Sequence, residues 1–158
     1  MATGFAAIEP GEILTDLLGL DAGLRQEPYW GERSIFYNPR KIAPLGVIFA
    51  SIKDHDGAND SSSNLSRPGV YRFAFCAPPV TYAQLFGEPP KRPPKGGVVA
   101  LPDYDPTQLN HLMPHPVYAW MRWVQILSPT RAQFESLRPS LDESLALVKT
   151  RWRRRIKG

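Results

Sequence analysis

Prolines at 114, 116 and 129 constrain residues 112–129 more tightly than any other part of this 158-residue chain. The stretch reads Leu112-Met113-Pro114-His115-Pro116-Val117-Tyr118-Ala119-Trp120-Met121-Arg122-Trp123-Val124-Gln125-Ile126-Leu127-Ser128-Pro129. Proline has no amide hydrogen, and it bars the preceding residue from helical geometry. His115 lies between two prolines, so it is expected in a rigid extended segment with its ring set to hydrogen-bond in one direction. Residues 121–127 read as a strand. Ser128 then suits a helix cap, and Pro129 a first helical position.

The stripe after Pro129 is helical. Phe134, Leu137, Leu141, Leu145, Val148 and Trp152 follow one another at spacings of three and four. Pro139 interrupts it, so two helices are expected, 129–138 and 139–156. At the other end, Ile13, Leu14, Leu17 and Leu18 share one face of a helix over 8–20, with Pro10 in its first turn. Residues 33–37, 45–52 and 70–76 read as strands. In the last of these, Tyr71, Phe73 and Phe75 share one face, and Arg72 points the other way.

A short helix is expected from Pro78 to Phe86, ended by Gly87. The proline- and cation-rich residues 87–97 read as a mobile, polyproline-like loop. Residues 98–101 suit a short edge strand. Residues 105–113 suit a helix with Asp105 as its cap. Strands in the middle and helices at both ends argue for one α+β domain over residues 1–158, with a mostly antiparallel sheet and helices on one face.

Composition excludes several function classes. Apolar residues make up 42 % and charged residues 22 %, ordinary for a soluble globular chain. A domain this long buries roughly 68–70 % of its unfolded surface, enough for a core without staples. The one cysteine, Cys76, permits no internal disulfide and no cysteine-built metal site. It lies in an apolar run and reads as a core residue rather than a nucleophile. No apolar run nears the roughly 20 residues that span a bilayer. The N-terminus lacks the basic-then-apolar pattern of a secretory leader. A cytoplasmic setting without membrane contact is expected.

The net charge is +4, and Arg151, Arg153, Arg154, Arg155 and Lys157 supply five positive charges at the C-terminus. Without them the rest of the chain carries −1. A basic tail over 151–158 suits cations that offset a helix macrodipole. The alternative is a phosphate-binding patch for nucleic acid.

No complete catalytic or cofactor motif is present, and no cofactor or metal is expected. His111 and His115 are four apart, but a zinc site needs a third ligand, from Asp103 or Asp105, and Pro114 breaks the helix between them. Asp54, Asp56 and Asp60 faintly resemble a calcium loop without its spacing or terminal glutamate, so a solvated acidic loop is the preferred reading. Arg67, Arg72, His115 and Tyr118 remain. A buried arginine needs a carboxylate, which Asp60 or Asp105 could supply internally, or an anionic ligand could replace.

The same residues carry a resemblance. Phe36-Tyr37-Asn38-Pro39, the segment from Asp60 through Arg67-Pro68-Gly69-Val70-Tyr71-Arg72, Leu85-Phe86-Gly87, Tyr104-Asp105, Pro114-His115-Pro116-Val117-Tyr118, Trp123-Val124 and Leu127-Ser128-Pro129 resemble a family of unknown function, number sixty-one ninety-four of the domain-of-unknown-function series, from about Trp30 to Arg155. That family carries aspartate where Asn110 stands and arginine where His111 stands. His115, Asp60, Arg67 and Arg72 match its pattern. More distantly, the terminal strand and helix pair resemble the YjbR-like two-layer fold, which implies DNA binding. The resemblance implies a fold and a polar cluster, not an activity.

The expectation is therefore a domain that binds a small anionic or polar ligand, or a partner, in a cleft where His115, Tyr118, Arg72, Arg67 and Asp60 converge. The first alternative is nucleic-acid binding through the basic C-terminal helix. The second is a small-molecule enzyme using His115 as general acid or base.

Overall fold

Alternation and helical periodicity become six strands and four α-helices in the computed structural model, which describes residues 6–157. The expectation of no leader rests on residues that include 1–5, and the end of the basic tail is Gly158; both lie outside the described residues. In chain order the elements are α1 (Pro10–Leu18), β1 (Leu24–Tyr29), β2 (Glu32–Tyr37), β3 (Val47–Lys53), β4 (Arg72–Cys76), α2 (Pro79–Phe86), β5 (Met113–Pro114), β6 (Trp123–Leu127), α3 (Arg131–Ser136) and α4 (Arg138–Lys157). The strands lie in the order β1-β2-β3-β4-β6-β5, each pairing antiparallel. The α+β architecture is as expected. Among the described residues no helix is long and apolar enough to cross a membrane.

One sheet face is apolar. Ile35, Ile52, Phe73, Phe75, Val124 and Ile126 form a single buried cluster with residues of all the helices. Ile13 and Leu17 come from α1, Tyr82 from α2, Phe134 from α3, and Leu141, Val148 and Trp152 from α4. Each such side chain contributes roughly 1.5–3 kcal/mol by leaving water. The Ser144 hydroxyl pins α4 to the end of β4 by donating to the Cys76 carbonyl at 2.6 Å.

The opposite face is polar. Register places Ser34 opposite Ser51, Lys53 opposite Arg72, and Ala74 opposite Gln125. Loops between β3 and β4 and before β6 cover this face instead of helices. A bulge between Ile35 and Phe36 of β2, against β3, breaks the alternation once. It lets Phe49 and Ala50 both reach the core while Ile48 and Ser51 face the other way.

Several local expectations change. The last helices start at Arg131 and Arg138. Ser128 is not a cap, because its amide still donates to the Tyr71 carbonyl as the sheet ends. Thr130 caps α3 instead, accepting from the Gln133 amide at 3.2 Å. Residues 105–113 form no helix. The Asp105 carboxylate accepts from the Thr107 amide and hydroxyl, closing a turn. Asn110, at φ 57°, then donates to the Leu127 carbonyl, so the sheet edge captures the segment. Residues 98–101 form no strand, and only the Val99 amide bonds, to the Pro116 carbonyl. β1 escapes recognition in the sequence because Pro28 interrupts it, a residue an edge strand tolerates.

Candidate functional site

Arg72 anchors the polar face. It is fully buried, at 0 % exposure, in the middle of the sheet. Its Nε donates to Gln125 Oε1 at 2.7 Å, and one terminal nitrogen donates to Ser63 Oγ at 3.2 Å. Its two terminal nitrogens meet the two oxygens of Asp60 at 2.5 and 2.8 Å. Gln125 completes the network by donating to the Pro106 carbonyl. Lys53 Nζ approaches Asp60 at 3.6 Å. Burial pushes the Asp60 carboxyl up, but hydrogen bonds and charge from Arg72, with the Lys53 charge behind, win and hold it at about 2. Asp60, rather than Asp105, is thus the internal counterion that a buried arginine needs, and it does not sit in a solvated acidic loop. Asp56 of the same loop is also engaged, accepting from the Leu65 amide at 2.8 Å.

Arg67 lies elsewhere. Its guanidinium donates to the carbonyls of Asn64, Ser63 and Thr107. It braces two loops and does not line the cavity described next.

Beside the Arg72 network is a cavity of about 370 Å³. That lies near the lower end of the roughly 300–1,000 Å³ typical of small-molecule sites. It lies between the β1–β2 hairpin and residues 115–123. Glu32, Ser34 and Ser51 give it a polar floor. Tyr29 and Trp30 form one rim, Tyr118 and Met121 the other. The hairpin turn is Trp30-Gly31, with φ of 53° and 74°. Both residues need positive φ in such a two-residue turn, which glycine accepts freely and tryptophan at a cost of roughly 1–2 kcal/mol. Trp30 is nevertheless 81 % exposed at the mouth, beside the Tyr29 ring.

His115 forms a wall of this cavity and is only 3 % exposed. Its amide donates to the Trp123 carbonyl, so the inter-proline segment is extended as expected. Its Nδ1 accepts from the amides of Val117 and Tyr118 at 3.0 and 3.2 Å. Those two donors place the ring proton on Nε2. Burial, then the Arg72 charge, hold the ring well below its ordinary range despite Asp60, so it is neutral. The Tyr118 ring lies 5.1 Å from it between centroids. Burial, with Glu32 and Asp60 nearby, pushes the Tyr118 hydroxyl up.

Among the described residues, every sealed buried side-chain nitrogen or oxygen has a partner. His115 Nε2 and the hydroxyls of Ser34 and Ser51 have no protein partner, so they open on the cavity they line. Ser34 and Ser51 are otherwise 1 % and 5 % exposed. Glu32 makes one contact, with Lys53 Nζ at 3.9 Å, beyond hydrogen-bond length. The floor and the His115 wall thus offer one fixed donor, one carboxylate and two serine hydroxyls, beside the polar tips of the lining tyrosines and tryptophans. The cavity lacks a base in His115, whose Nδ1 is occupied and whose Nε2 bears hydrogen.

Of the residues singled out in the sequence, His115 and Tyr118 line the cavity, and Arg72 and Asp60 support it from behind. Tyr29, Trp30, Glu32, Ser34 and Ser51 escape sequence reasoning. Trp30-Gly31 is the one signal that could have found them, as a tight turn between two strands. Among the described residues no group of three His, Cys, Asp or Glu side chains could hold a metal ion.

The basic residues 151–157 form the last turns of α4. Trp152 is a core anchor, edge-on to Tyr37 with centroids 6.0 Å apart. Arg155 donates to the Gly46 carbonyl at 2.6 Å, Arg151 to the Cys76 sulfur and Arg153 to Thr150. Arg154 and Lys157 are exposed on the same turns.

A family model described as a family of unknown function, DUF6194, matches residues 8–157. The match begins well before Trp30 and so takes in α1. No curated protein and no solved structure matches the chain.

Proposed function

We propose, for a chain that belongs to the DUF6194 family of unknown function, that its domain binds a small, polar-edged molecule in the cavity beside His115. What carries the reading is His115 Nε2–H: a donor on an almost wholly buried side chain, facing a cavity and without a protein partner. Because Nε2 opens on the cavity, water pairs with it when the site is empty, and a ligand acceptor takes the place of that water. Arg72 and Arg67 already have internal partners, so the ligand is polar rather than anionic. Binding is favoured over catalysis because the one lone pair of His115, on Nδ1, is taken up by the amides of Val117 and Tyr118.

Nucleic-acid binding, which the YjbR-like resemblance implies, takes second place. Arg151, Arg153 and Arg155 already contact the protein. A cytoplasmic setting accords with a single buried free thiol.

The test is a thermal-shift screen of the full chain with fragment-sized polar heterocycles, followed by NMR on the hits. A native-state binder raises the melting temperature by mass action. Hits should perturb resonances of His115, Tyr118 and Trp30. A screen whose hits all leave these three untouched, or that yields none, removes the reading.

A further inference from the structure

We propose that the cavity recognises the 2-amino-4-oxopyrimidine edge of a guanine or pterin ring, carried without phosphate. The inference rests on the small-molecule reading above and narrows it.

Two groups of opposite character select the edge. Glu32 offers carboxylate oxygens that only accept, and its Lys53 contact at 3.9 Å leaves them open. A carboxylate is best matched by two adjacent N–H donors in a bidentate pair. The ring N–H and the exocyclic amine of this edge form such a pair. His115 Nε2–H needs an acceptor, and the carbonyl of the same edge supplies it. Ser34 and Ser51, opposite each other on β2 and β3, donate or accept as the remaining ring atoms require. Tyr29, Trp30, Tyr118 and Trp123 also line the cavity, and aromatic side chains suit a planar ring.

Rival chemistries fit less well. A guanidinium or alkylammonium would satisfy Glu32 and the aromatic rings. It has no acceptor for His115, and Lys53 and Arg72 lie behind the floor. Adenine sets one donor beside a ring acceptor, which would turn a lone pair toward Glu32. A phosphate would find no Lys or Arg among the lining residues. Arg72 is paired with Asp60, and Lys53 sits between Asp60 at 3.6 Å and Glu32 Oε2 at 3.9 Å.

The experiment is calorimetry on the full chain with guanosine, 6-hydroxymethylpterin, inosine, adenosine, guanosine monophosphate and agmatine, which carries a guanidinium and an ammonium but no acceptor. Guanosine or the pterin should bind, and whichever is tighter identifies the source of the ring. Adenosine should bind at least about tenfold more weakly than guanosine. So should inosine, which lacks only the 2-amino group, because a charge-assisted bond is lost. Glu32→Gln should remove the preference for guanosine over inosine. If that variant fails to fold, the guanosine-to-inosine comparison on the unaltered chain decides alone.

Equal binding of inosine, adenosine or agmatine, or tighter binding of the monophosphate than of guanosine, overturns the proposal. Absence of binding by both guanosine and the pterin also overturns it. If heterocycle fragments still perturb His115 and Tyr118 in that case, only this narrowing fails. If they do not, the small-molecule reading fails with it.

Discussion

Asp60 grips both terminal nitrogens of the Arg72 guanidinium inside the sheet, at 2.5 and 2.8 Å, although the carboxylate comes from a loop and the arginine from a central strand. The pair fastens the loop between β3 and β4 onto the polar sheet face. It also sets the charge environment of His115, since Arg72 and Asp60 act on that ring in opposite directions.

Asp60→Asn should destabilise the protein by about 3–5 kcal/mol, because it leaves Arg72 buried and uncompensated. Replacing both partners, as Asp60→Leu with Arg72→Met, should recover much of that loss. Urea unfolding of the two variants measures this. A double variant no more stable than Asp60→Asn would show that the network, not the isolated charge, carries the cost. The folded carboxyl titrates at about 2, below its unfolded value. Its stabilisation is therefore complete above about pH 4 and is lost as pH falls toward 2.

His115 predicts a second acid-sensitive range, at higher pH. Its folded pKa lies well below the ordinary 6.5. Below pH 6.5 the unfolded chain takes up a proton that the folded chain refuses, so stability falls as pH drops. Above 6.5 this contribution is constant. His115→Asn keeps an acceptor near the Nδ1 position for the amides of Val117 and Tyr118 and removes the titration. Denaturation at pH 7 and pH 5 should show a smaller stability difference in the variant than in the parent. An unchanged difference would assign the acid sensitivity to other groups.

Trp30→Asn should stabilise the hairpin by about 0.5–1 kcal/mol, because asparagine tolerates positive φ and Asn-Gly is the preferred pair for this turn. The same change removes the ring exposed at the cavity mouth. A rise in melting temperature together with weaker ligand binding is the expected result. A fall in melting temperature would mean that the contact with Tyr29 outweighs the backbone strain.

Thr130→Ala should cost about 1 kcal/mol, since it leaves the Gln133 amide at the start of α3 without its cap. Thr130→Ser should restore most of the loss. Chemical denaturation of both variants separates lost capping from lost methyl packing.

Tyr71, Phe73 and Phe75 are legible in the sequence as one apolar face, and the spacing from Phe134 to Trp152 as a helical stripe. Pro139 marks the break between α3 and α4, and the prolines around His115 mark an extended segment. The turn at Asp105 misleads, because an aspartate that caps a helix and one that closes a turn use the same bond over the same few residues. β1 is obscured by Pro28, and with it the hairpin that walls the cavity.

Sequence periodicity alone determined the elements with a clear apolar face, α1, β4 and the stripe of α3 and α4, because periods of two and 3.6 are properties of the local backbone. Tertiary structure decided which carboxylate meets Arg72, that Arg67 serves the loops, and that Glu32, Ser34 and Ser51 face His115 across one cavity. Those pairings join residues far apart in the chain. They depend on how loops close over a sheet face, and no local pattern encodes that.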